Sequence, residues 1–141
     1  MARGATLPEL VIVALTIGVM ASIVTPPLRH TLDRIAVVNA AQRYSAVHQA
    51  ARVTAIARAG LVRHELARDS AAVALTVRNP RGTWDTLRVW TLGSVRVSAS
   101  QRAVTFSPLG LGYGASNTRV VFSRGAAVET LTVSRTGRLR R

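Results

Sequence analysis

The sequence contains no cysteine and no lysine. Without cysteine there is no disulfide, no thiolate metal site and no cysteine nucleophile. Without lysine, every basic side chain is one of 19 arginines, whose planar guanidinium forks onto phosphate or carboxylate as an ammonium cannot. A GC-rich coding sequence yields the same all-arginine composition, so the choice of Arg is not in itself a sign of function. Acids are scarce too: six Asp and Glu leave a formal charge of +13. A balance this basic favours polyanions, whether nucleic acid, anionic headgroups or an acidic subunit. Aromatics make up only 4% of the chain, which leaves few platforms for base stacking. Any nucleic-acid contact would therefore run to the phosphate backbone and be largely independent of sequence.

Signatures of catalysis are missing as well. No serine sits in a G-x-S-x-G context. His64-Glu65 begins like a zinc-protease helix, but Arg68 stands where the second histidine belongs. His30 and His48 would lie about 27 Å apart on one helix, too far to share an ion. Gly110-Leu-Gly-Tyr-Gly-Ala115, with Glu129 further on, fits a dinucleotide fingerprint on paper. That motif must open a helix, whereas a strand pattern, Thr118 to Phe122, follows here. The sequence thus implies no enzyme, no cofactor and no metal.

What the chain does contain is concentrated at its start. A short basic leader, Met1 to Gly4, precedes a segment with one acid, Glu9, and no charge from Leu10 to Leu28. An ionised carboxylate is costly to bury in lipid unless paired. About 20 apolar residues cross a bilayer, and Leu10 to Leu28, interrupted by Thr16, Gly18, Ser22, Thr25 and two prolines, is a marginal span. A secretory signal peptide cut after Val19-Met20-Ala21 is one alternative, but Glu9 interrupts its basic-then-apolar order. A simple anchor is another. Arg3 would stay on the cytoplasmic side, sending the rest of the chain outward. Pro26-Pro27 is expected to kink or locally melt the helix near Thr25 to Pro27.

Beyond the prolines, Leu28, Leu32, Ile35, Val38, Ala41, Tyr44, Val47 and Ala51 recur at helical spacing, with Gly60 as the capping signal. Leu61 to Asp69 reads either as a further helical turn or as a loop. From Ala72 the period becomes two. Val73 to Val77, Thr83 to Leu92, Val95 to Val97, Val104 to Phe106, Thr118 to Phe122 and Val128 to Val133 are strand patterns, with turns at Asn79 to Gly82 and at Arg124-Gly125. The expected class is α+β: a long N-terminal membrane-and-amphipathic helix packed on an antiparallel β-sheet head. Its expected divisions are 1–4 (leader), 5–28 (hydrophobic transmembrane and assembly helix), 29–60 (amphipathic helix) and 61–141 (β-rich head with a basic tail).

The segment Gly4-Ala-Thr-Leu-Pro-Glu-Leu10 and the apolar run after it resemble the N-terminus of type IV pilins and pseudopilins. Ala51-Arg-Val-Thr-Ala-Ile-Ala-Arg-Ala-Gly60, Val104-Thr-Phe-Ser-Pro-Leu-Gly-Leu-Gly112 and Thr132-Val-Ser-Arg-Thr-Gly-Arg-Leu-Arg140 resemble stretches of the GspH/FimT group within that superfamily. The resemblance implies that a prepilin peptidase cuts between Gly4 and Ala5 and methylates the new terminus, although Ala5 stands where the family most often has Phe. It implies that Glu9 pairs with the N-terminal amine of a neighbouring pilin during assembly. It implies a single-pass bacterial inner-membrane protein with a periplasmic head, built into a type II secretion pseudopilus or a type IV pilus tip. The FimT-like branch associates the tail Gly137-Arg138-Leu139-Arg140 with DNA uptake. On that reading Arg138, Arg140, Arg141 and Arg135 contact the phosphates of double-stranded DNA, with Arg119 and Arg124 as supporting candidates. The bland alternative is a basic tail that only finishes the last strand.

Overall fold

The computed structural model describes residues 6–114 and 117–141, so the expected processing site Gly4-Ala5 lies outside the described residues. Two compact units divide at Leu32 and Asp33. A 51-residue helix, α1 (Leu7–Ala57), forms the described part of the first unit and enters the second. Its start is capped locally. The Thr6 amide donates to the Glu9 carboxylate at 3.4 Å, the return half of a capping box in which the third helical residue reaches back to the cap. Pro8 follows in the first turn, where its missing N–H costs little.

The helix is uninterrupted through Pro26 and Pro27, so the local melting expected there does not occur. Propagating a helix from formed turns is far cheaper than nucleating one. From Leu10 to Met20 the large apolar side chains are exposed. Thr16 satisfies its hydroxyl within the helix by donating to the Ile12 carbonyl at 2.5 Å. Among the described residues, no helix is long and apolar enough to cross a membrane.

In the second unit the helix buries Val37, Ala40, Ala41, Tyr44, Val47, His48, Ala51 and Ala55. The expected stripe is right from Ala41 to Ala51 but wrong at its start: Leu28, Leu32 and Ile35 are exposed. Much of the buried face is alanine, which lets strands approach the helix closely. The helix ends in a Schellman motif. Gly60 N–H donates to Ala55 O and Ala59 N–H to Ile56 O, both at 3.2 Å. The left-handed residue of that motif is Ala59, at φ 47°, and not Gly60.

Two antiparallel sheets follow. The first has the order β3-β2-β1-β5-β6 and the second β4-β7-β8-β9. They comprise β1 (Val62–Leu66), β2 (Ala72–Arg78), β3 (Trp84–Thr91), β4 (Arg96–Ala99), β5 (Ala103–Phe106), β6 (Gly112–Tyr113), β7 (Thr118–Arg124), β8 (Ala127–Val133) and β9 (Leu139–Arg140). Leu61 to Asp69 is neither helix nor loop: it contains β1, the central strand of the first sheet, paired with β2 and β5. The turn at Asn79 forms as expected, with Gly82 N–H donating to Asn79 O at 2.9 Å. The β7–β8 hairpin pairs Arg124 with Ala127 around Gly125.

The core lies between helix and sheets. Val37, Ala41, Tyr44 and Val47 pack with Leu66, Val73, Val120, Phe122 and Leu131. Ala51 and Ala55 pack with Val62, Leu75, Val104, Phe106 and Val133. Trp90 and Leu139 lie against both groups.

Candidate functional site

The basic tail is a short edge strand. After β8 the chain turns at Ser134 to Arg138 and returns as β9, pairing Val133 with Leu139 and Thr132 with Arg140. Ser134 holds the turn. Its carbonyl accepts from Gly137 N–H at 2.9 Å, and its hydroxyl accepts from Arg138 N–H at 3.1 Å. Gly137 is buried at φ +80°, and a Cβ there would lie 2.6 Å from Phe106 Cε1. Gly112 seats the other side. Its amide donates to Thr136 O at 3.2 Å, and a Cβ would collide with Arg135 O. The stretches Val104–Gly112 and Thr132–Arg140, distant in sequence, thus meet in one seat.

Strand alternation then sorts the arginines. Leu139 points to the core while Arg138 and Arg140 are exposed. Arg140 stands opposite Thr132 and Thr132 opposite Arg119, so Arg119, Thr132 and Arg140 form one exposed row across three strands. Directly opposed residues of antiparallel strands share a face. Arg119, Arg138 and Arg140 have no side-chain partner among the described residues. Arg135 is exposed on the turn, its amide donating to Asn117 Oδ1 at 3.2 Å.

Two of the other candidates are already engaged. Arg141 Nε donates to Glu129 Oε1 at 2.5 Å, and that bond holds its pKa above the usual guanidinium value. Arg124 pairs with Asp33 at 2.9 Å and donates to the Ser94 hydroxyl at 2.6 Å. Both tryptophans are also occupied: Arg63 covers Trp84 at 4.3 Å and Arg88 covers Trp90 at 5.1 Å. These rings stack on the protein's own cations, which leaves phosphate contact as the chemistry open to the row.

A histidine pair that sequence reasoning missed lies beneath the tail. His48 Nδ1 lies 3.0 Å from His64 Nε2, and His48 Nε2 lies 2.9 Å from Gly137 O. Both rings are fully buried. Burial lowers the pKa of His48, the Gly137 carbonyl partly opposing it and Arg52 adding to it. Burial, then the charge of His48, lowers His64 to about 3. The pair is neutral at ordinary pH. The available signal was alternation: Val62, His64 and Leu66 occupy the buried positions of β1.

Two other sequence readings end here. Gly110 lies in a tight turn, its N–H donating to Ser107 O at 2.8 Å, and Gly112–Tyr113 is a strand. The described part of the segment, Gly110 to Gly114, opens no helix, as a dinucleotide fingerprint would require. Among the described residues no three His, Asp or Glu side chains gather for a metal ion.

No protein-family model and no curated protein matches the sequence. Solved structures do match. The chain superposes on the type IV minor pilin FimU of Pseudomonas aeruginosa with a TM-score of 0.61 at 16% identity, over 74% of this chain and 86% of that one. A second crystal form of FimU gives 0.60 at 16% identity, over 72% and 88%. The fold is that of a type IV pilin. In this pilin-like fold the tail seat closes the head, and the exposed apolar helix with Glu9 at its first turn precedes it.

Proposed function

We propose that the chain is a minor pilin or pseudopilin, built into a type IV pilus tip or a type II secretion pseudopilus. The observation that carries this reading is the union of a pilin-like head with a helix that exposes apolar side chains from Leu7 to Met20 and bears one acid, Glu9. Such a helix needs partners. Val11, Ala14, Leu15, Gly18 and Val19 line a shallow apolar groove on it, suited to helix packing by small residues. On this reading a prepilin peptidase cuts after Gly4 and methylates Ala5. The protein waits in the inner membrane with its head in the periplasm, neighbouring subunits compensating for the marginal span. Glu9 then neutralises a neighbour's terminal amine in a low-dielectric bundle, where an unpaired charge is costly. A Glu9→Ala variant should reach the membrane fraction yet be missing from sheared filaments. Normal incorporation of that variant would falsify the assembly role.

The row Arg119–Thr132–Arg140 favours a second reading, a minor pilin that binds double-stranded DNA for uptake. Its face joins three exposed arginines, Arg119, Arg138 and Arg140, to the hydroxyls of Thr130 and Thr132. Phosphate contacts of this kind position a duplex without reading its sequence.

A further inference from the structure

The buried histidines join three segments distant in sequence: α1 through His48, the central strand β1 through His64, and the tail turn through Gly137. The proton positions follow from the partners. A carbonyl oxygen only accepts, so His48 Nε2–H donates to Gly137 O. In the neutral ring His48 Nδ1 is then the acceptor, and His64 Nε2–H donates to it. That leaves His64 Nδ1 a bare acceptor, and this buried atom has no partner among the described residues.

Apart from the Gly137 carbonyl, which favours a charge on His48, no group packed around the pair among the described residues welcomes a positive charge. Tyr44 of α1 and Phe106 of β5 present rings at 5.2 Å to His64 and 5.0 Å to His48. Burial pushes the Tyr44 phenol up, so it too stays neutral. The charged group acting on His48 is Arg52, a cation one turn along α1, and the one acting on His64 is His48 itself. A proton added to His48 sets two N–H donors head to head between the rings. The alternative is a tautomer change at His64, which buries an Nδ1–H with no acceptor. Either arrangement is relieved by letting water in. Of the three joined segments the tail is the most weakly held: β9 has two paired residues, whereas β1 is bonded on both edges and α1 is anchored along its buried face.

We propose that His48 and His64 form an acid-operated latch on the C-terminal tail. Neutral, the pair holds the Gly137 turn and keeps Arg138 and Arg140 in fixed positions on the sheet. Protonated, it releases the turn and β9 while the rest of the head stays folded. The latch does not depend on the filament reading.

The test is amide hydrogen exchange on the full chain in detergent micelles, from pH 7.5 to 4.5, corrected for intrinsic rates. Opening of the Ser134 and Arg138 amides should increase about tenfold per pH unit below the usual histidine range for each histidine released, with β7 and α1 amides still protected. His48→Gln keeps a donor for Gly137 O and an acceptor for His64 but leaves one titrating ring in place of two, so the response of its tail should fall by about tenfold per pH unit. Equal acid responses in the two proteins, or simultaneous loss of protection throughout the head, overturn the latch. If His48→Gln does not fold, the wild-type rings are titrated by NMR beside the Arg138 amide. Coincident midpoints support the latch, and a tail amide that stays unmoved through the ring titration refutes it.

Discussion

Arg119 and Arg140 point outward from either side of Thr132, two strand spacings or about 10 Å apart. Neither has a side-chain partner to give up among the described residues, whereas Arg141 is held by Glu129. The arginines of the tail should therefore be unequal. In duplex DNA binding measured against salt concentration, Arg119→Ala and Arg140→Ala should each lower the salt slope by about one. Arg141→Ala should change it less, and Glu129→Ala, which frees Arg141, should raise affinity. Equal effects of all three arginine variants would show that bulk charge, not the row, governs binding.

Glu9 has a local duty that competes with the assembly role. It accepts from Thr6 N–H at the helix start, and a glutamine at that position serves a capping box as well. Glu9→Gln consequently separates the two. If charge pairing with a neighbour's terminus is what matters, Glu9→Gln should be lost from sheared filaments as completely as Glu9→Ala. Filaments that accept Gln but reject Ala would assign Glu9 to the cap alone.

How much of this was legible in the sequence differs between elements, for physical reasons. Strands from Val73 onward showed their alternation because their inward residues are Val, Leu and Phe. β1 was hidden because its middle inward residue is His64, which scores as polar while being fully buried. The helix stripe was misplaced at Leu28, Leu32 and Ile35 because large aliphatics outweigh alanine in any hydropathy pattern. The close-packed face is instead built on Ala40, Ala41, Ala51 and Ala55. The tail arginines were legible as a motif. Their sorting into exposed and paired was not, since it rests on contacts such as Arg124 with Asp33 that no local pattern encodes.

Ala59 marks a place where stability can be gained. It adopts φ 47° at the position of the Schellman motif that glycine usually fills. A Cβ in that region costs about 1–2 kcal/mol, while glycine's extra freedom in the unfolded chain offsets part of the relief. Ala59→Gly should raise unfolding free energy by about 0.5–1 kcal/mol in urea titration. Ala59→Val should lower it.

Gly137 is the opposite case. Alanine there meets Phe106 Cε1 at 2.6 Å while adopting φ +80°, combining left-handed strain with overpacking. Together these cost about 2–4 kcal/mol. Gly137→Ala should lower the thermal midpoint of the head by many degrees, and substituting the neighbouring exposed Arg138 with Ala should leave it nearly unchanged.

Acid should destabilise the head through its buried histidines. His64 is held near 3 in the folded chain and returns to the ordinary histidine value, about 6.5, on unfolding. The unfolded chain thus binds more protons between those values, and stability falls as pH drops through that window. His48 is lowered as well and acts in the same direction. From pH 7 to pH 5 the His64 contribution alone amounts to about 2 kcal/mol. Urea midpoints taken at pH 7, 6 and 5 should therefore decline steadily in the wild type, and His64→Gln should flatten most of that decline. A midpoint constant down to pH 5 would mean that the two rings take up protons without opening the site.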